Sequence, residues 1–173
     1  LPDDDLAYDM LDAITRATHH TGLERYEVSA YARPGHACVH NRNYWEYGDY
    51  LGIGAGAHSK LSFPHRIVRQ VRLRDPRRYM QQALVGQALA QEHDVPHADL
   101  AFEYMLNALR LRQGFALADF TARTGLAAGS IEPALRHAEE KGWIERDLHC
   151  VRPTVRGFDF LSDLQALFLP AHA

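Results

Sequence analysis

The run of residues richest in chemistry is HNRNYW, His40–Trp45. An imidazole is a good axial donor to haem iron, flanking aromatic rings can cover a porphyrin face, and a guanidinium can pair with a propionate carboxylate. On that chemistry His40 is the candidate iron ligand, and Arg42, Tyr44 and Trp45 complete a haem-binding set. A histidine beside Tyr and Trp serves equally well as a surface or packing residue, so the run alone leaves both readings open. A second run, GIGAGAHS over Gly52–Ser59, sets glycines after a strand, where backbone can approach a ligand closely and present amide groups. Gly52, Gly54 and the adjoining His58 are its cofactor-binding candidates. It departs from the G-x-G-x-x-G spacing, because the third glycine falls at Gly56, and it carries no phosphate-binding lysine, so a tight turn explains it as well. A third feature is the crowding of six of the 17 arginines into Arg66, Arg69, Arg72, Arg74, Arg77 and Arg78. Such a patch suits an anionic ligand or a partner's acidic face, or shields an edge strand by charge.

The elements that hold these runs can be read from periodicity and punctuation. Leu6, Met10 and Ile14, with Ala13 and Ala17, recur at helical spacing behind Asp3, Asp4 and Asp5, and Gly22 supplies a stop. Arg25–Tyr31 alternates as a strand would, and a loop carrying HNRNYW leads to a second strand, Asp49–Ile53. Lys60–Arg74 reads as a hairpin turning near Pro64, and Asp75-Pro76 opens a helix predicted to run to Gln91. Further helices are predicted over His97–Arg112, Leu117–Arg123 and Ile131–Lys141, followed by a hairpin over Trp143–Pro153 and a last helix from Thr154. That order is winged-helix-like, and the change of character puts a boundary near residues 60 to 75. A DNA-reading helix is basic, whereas Ile131–Lys141 sets three glutamates against Arg136 and Lys141, so nucleic acid is not the expected partner.

Composition sets the outer bounds. The 173 residues are 46% hydrophobic and 24% charged, with a formal net charge of −3, as suits a soluble domain with a core of its own. No run approaches the roughly 18 apolar residues of a membrane span, and the acidic opening is unlike a signal peptide, which points to the cytoplasm. Cys38 and Cys150 stand too far apart in sequence to suggest a metal-binding cysteine cluster, and a cytoplasmic setting disfavours a disulfide.

With these residues laid out, the chain resembles the radical S-adenosylmethionine (SAM) group that contains oxygen-independent coproporphyrinogen III dehydrogenase and the haem chaperone HemW. The resemblance rests on YEVSAYARPG (26–35), HNRNYW (40–45) and GDYLGIGAGAHS (48–59), and in the tail on FEYMLNALRL (102–111), RTGL (123–126) and PTVRGFDFLSDL (153–164). HNRNYW looks like the HNxxYW motif that separates HemW from the dehydrogenase. The resemblance implies a longer parent, because the chain opens at Leu1 rather than Met and lacks the CxxxCxxC loop that holds a [4Fe–4S] cluster with SAM. In such a parent the cluster passes an electron to SAM, whose sulfonium cleaves to a carbon radical; this stretch alone cannot run that chemistry.

The implied fold is α+β and mainly helical. Residues 1–60 would be the last β/α elements of a partial TIM-like barrel, and residues 61–173 a helical, winged-helix-like C-terminal domain. By the same resemblance Ala32 and His58 fall where the dehydrogenase lines its SAM pocket, although His58 replaces an expected aliphatic residue. The implied function is binding of haem and its delivery to respiratory haem enzymes. The alternatives are part of an oxygen-independent coproporphyrinogen III oxidase and, more remotely, a winged-helix DNA-binding module. A homodimer that covers the open strand edges of a partial barrel is also expected.

Overall fold

A computed structural model describes residues 2–170, so Leu1 and residues 171–173 of the two expected units lie outside the described residues. The fold is α+β, with eight α-helices and three small antiparallel sheets among the described residues. Helix α1 (Asp4–His20) starts where the Asp3 carboxylate accepts the Leu6 amide at 2.9 Å, which satisfies one of the free N–H groups of the first turn. It buries no residue, and its apolar stripe of Leu6, Met10 and Ile14 is about half exposed.

The stretch expected to be one strand over Arg25–Tyr31 is instead two short strands, β1 (Glu24–Arg25) and β2 (Tyr31–Ala32), paired antiparallel. Glu27 makes the difference. Its carboxylate, on a side chain 1% exposed, accepts the backbone N–H and the hydroxyl of Ser29, both at 2.9 Å, and so folds the chain back on itself. Helix α2 (Val39–Trp45) occupies what reads in sequence as a loop. Arg42 and Glu46 pair across one of its turns, and it ends where Tyr47 takes a left-handed φ of 55°. The expected strand at Asp49–Ile53 reduces to a single bridge between Tyr50 and Lys60.

The hairpin forms close to its expected place, as β3 (His58–Phe63) and β4 (Arg66–Arg72). Asp75 then caps α3 (Pro76–Ala83) by accepting the Arg78 amide at 2.7 Å. This helix stops eight residues short of the expected end, because Gly86 (φ 74°) turns the chain into β5 (Leu89–Asp94), which pairs with β4. Local propensity over Gln82–Gln91 allows a helix; ladder hydrogen bonds to β4 decide otherwise.

The rest follows the predicted order. Helix α4 (Leu100–Ala108) leads through β6 (Phe115–Ala116) to α5 (Leu117–Thr124), a short 3₁₀ turn and α6 (Glu132–Glu140). Strands β7 (Ile144–Arg146) and β8 (Cys150–Pro153) form a sheet of order β6-β8-β7, and helices α7 (Val155–Asp159) and α8 (Leu161–Ala166) close the chain, α7 capped by the Thr154 hydroxyl. The core centres on Tyr104 of α4, which meets Tyr47, Phe115 and Phe120 edge-to-face at 5.7, 5.3 and 5.2 Å. Tyr47 and Ile67 therefore share one core with Leu109, Leu135, Val151 and Leu164 of the tail.

Candidate functional site

Two networks set α2 in place. The Tyr47 hydroxyl donates to Glu103 of α4 at 2.9 Å, Arg69 of β4 pairs with the same carboxylate at 2.6 Å, and Arg69 also donates to the Tyr50 hydroxyl at 3.0 Å. Burial pushes the Tyr47 phenol well above its ordinary ionisation range, and the negative charge of Glu103 adds to that, so the hydroxyl stays a donor. Beneath the helix end, the nearly buried Lys60 ammonium donates to the Tyr47 carbonyl at 3.0 Å, to Asp49 at 2.9 Å and to Ser62 at 3.0 Å, while lying 4.1 Å from the centre of the Tyr47 ring. All three of its N–H groups are thus used.

Helix α2 divides the four haem-binding candidates between two faces. His40 and Tyr44, four residues apart, lie together, their rings edge-to-face at 4.8 Å, and Tyr44 in turn meets Tyr50 at 4.2 Å with the ring planes tilted by 33°. The His40 ring is exposed and has no hydrogen bond among the described residues, which leaves an imidazole nitrogen free to meet a metal. Arg42 and Trp45 face the other way, into a cavity of about 420 Å³ between α2, α4 and α5. Arg42 is tied to Glu46 there rather than free for a carboxylate. The Arg110 guanidinium lies 4.1 Å from the Trp45 ring centre and pairs with buried Glu27 at 3.2 Å, so the Glu27 turn also braces α2.

The SAM candidates form a separate group. Ala32 closes β2, and His58 is exposed at the start of β3. The glycine amides are spent within the chain: Gly52 donates to the Ser59 hydroxyl at 2.9 Å, Gly54 to the Tyr79 hydroxyl at 3.0 Å and Gly56 to the Leu73 carbonyl at 2.8 Å. A Cβ at Gly52 would overlap the His58 carbonyl, so close chain packing is what requires that glycine. The described residues supply no cluster site: both cysteines are free, and no group of three or more His, Cys, Asp or Glu converges. No helix among the described residues is long and apolar enough to cross a membrane.

Sequence reasoning did not single out Tyr104, Asp119 or Arg123, which share the α2 cavity with Trp45. The i,i+4 spacing of Asp119 and Arg123 was a readable sign that one helix face carries both; nothing local marks Tyr104.

Residues 95–160 match the family described as the HemN C-terminal domain. The chain is 41% identical over 170 residues to the "Heme chaperone HemW" of Escherichia coli (strain K12), covering 98% of this chain and 44% of that protein. It is 36% identical to the protein of the same name from Haemophilus influenzae, covering 98% and 43%. The chain thus spans under half the length of these curated relatives. A solved structure titled "Coproporphyrinogen III oxidase (HemN) from Escherichia coli is a Radical SAM enzyme" matches with a TM-score of 0.69 at 17% identity, over 97% of this chain and 42% of that one. That likeness is one of fold.

Proposed function

We propose, from the premise that this chain is HemW-like along nearly all of its length, that it binds haem through helix α2 and takes part in handing haem to respiratory haem enzymes. The observation that carries the proposal is the exposed, unbonded imidazole of His40 beside the Tyr44–Tyr50 aromatic pair. His40 would supply the nitrogen donor to iron and Tyr44 would flank the ring, while Arg42 and Trp45, on the far side of the helix, would border its edge. Neutral imidazole is the ligating form.

In the longer relatives' arrangement, residues 1–60 are read as the last elements of a partial radical SAM barrel and residues 61–173 as the C-terminal domain, winged-helix-like over β6 to β8. SAM with a [4Fe–4S] cluster would supply radical chemistry when bound, and its ligands would have to come from outside the described residues. Ala32, Gly52, Gly54 and His58 are proposed only as positions bordering SAM. A cytoplasmic setting and a dimer over the open strand edges complete the reading. A DNA-binding role is disfavoured by α6, where Glu132 and Glu139 hold Arg146 of the neighbouring strand at 2.7 and 3.0 Å and so neutralise the basic group a duplex would need.

The test is a haem titration of the chain and of its His40→Ala and His58→Ala variants, followed by the Soret band. Loss of the donor nitrogen in His40→Ala should shift the band and weaken binding, with His58→Ala unchanged. An unaltered spectrum and affinity in His40→Ala would refute the assignment.

A further inference from the structure

The cavity behind α2 carries more hydrogen-bonding capacity than the protein itself uses. Tyr104 is 1% exposed, lines this cavity, and its hydroxyl makes no hydrogen bond among the described residues. Burial raises its ionisation above the ordinary range, Asp119 raises it further, Arg123 opposes, and Glu46 adds to the rise; all three charged groups line the cavity. The Trp45 Nε1–H is buried without a partner. Arg123 has no ion-pair partner among the described residues, whereas Arg42 is held by Glu46. Leaving the buried Trp45 donor unpaired costs about 1–3 kcal/mol, which a bound acceptor would recover.

We infer that this cavity is a carboxylate-binding site in which Arg123, Tyr104 and Trp45 supply the donors. Its charge argues for a carboxylate rather than a phosphate: Asp119 and Glu46 line the cavity together with Arg42 and Arg123, so a dianion would meet more repulsion than a single negative charge. Leu111, Phe115 and Ala108 add apolar lining suited to an aliphatic stem. Two sources carry that chemistry, a propionate arm of a tetrapyrrole and a small free carboxylic acid. The tetrapyrrole source rests on the haem reading above; the carboxylate site does not.

The Trp45 indole ¹H–¹⁵N signal, assigned against Trp143→Phe, reports on the cavity directly. The chain is titrated with propionate, with iron-free protoporphyrin, and with protoporphyrin dimethyl ester. The first two should shift the signal saturably and the ester should not. Arg123→Gln should weaken binding by about tenfold, and Tyr104→Phe, which removes only the hydroxyl, by about threefold to tenfold. Response to propionate without protoporphyrin supports the site with the free acid as its ligand. No response to either acid, an equal response to the ester, or an unchanged affinity in Arg123→Gln overturns the inference. Because iron-free porphyrin offers nothing for His40 to ligate, His40→Ala should leave these titrations unaltered. Failure of the haem assignment is thereby told apart from failure of this one.

Discussion

Replacing Lys60 by Met keeps most of the aliphatic stem and removes the ammonium that pins the end of α2. The side chain is 2% exposed and donates to three acceptors. Two of these, on Asp49 and Ser62, lie near the surface and can turn to water, so their loss costs little. The third, the Tyr47 carbonyl, belongs to a residue 1% exposed and would be left without a donor. A stranded buried acceptor costs about 1–3 kcal/mol, and loss of the cation above the Tyr47 ring adds about 1 kcal/mol. Relief from burying an ammonium offsets part of this, since burial already holds the Lys60 ionisation below its usual range against the pull of Asp49. The net expectation is a loss of about 2–3 kcal/mol, read as a fall in Tm of roughly 4–12 °C for a chain of this size. Circular dichroism melts of wild type and Lys60→Met measure it. A loss below about 1 kcal/mol would show that water reaches the Tyr47 carbonyl and that Lys60 does not hold α2 as argued.

Asp49 should give the fold an acid sensitivity. Burial alone would raise its ionisation, but hydrogen bonds from Lys60 and Ser62 outweigh it and hold the carboxyl below the usual range. Its contribution is therefore present above the ordinary carboxylate pKa and is lost as pH falls through the lowered one, and the Tm of Asp49→Asn should decline less over that window than wild type. Gly114→Ala should destabilise by more than about 2 kcal/mol, because Gly114 sits at φ 70° and a Cβ would overlap the Val151 carbonyl. Gly129→Ala, where a Cβ meets nothing within 4 Å, should be neutral or slightly stabilising in the same denaturant titration. Glu27→Gln should loosen the Tyr26–Ala30 turn and the Arg110 brace, seen as faster amide exchange at Ser29; unchanged protection there would remove Glu27 as the cause of the split strand.

What the sequence determined is what local chemistry determines. Asp3, Asp75 and Thr154 each cap the helix that follows, because a cap needs only a side-chain oxygen and an amide three residues on. The β3–β4 hairpin turns near Pro64 as alternation and turn residues required, and α5 and α6 fall where apolar spacing put them, whereas the helix expected over His97–Arg112 is confined to Leu100–Ala108 and the one expected from Thr154 breaks at Phe160. Tertiary contacts decided the rest. Whether HNRNYW is loop or helix depends on Glu103, Arg69 and Lys60, which hold Tyr47 from distant elements, and no window around His40 contains them. The helical winding then parted His40 and Tyr44 from Arg42 and Trp45, a division invisible in a linear string. The cavity that Trp45 shares with Tyr104 and Arg123 exists only because α4 and α5 pack beside α2. A side chain's own sequence specifies which hydrogen bonds it can make, but only the assembled fold specifies which of them it is denied.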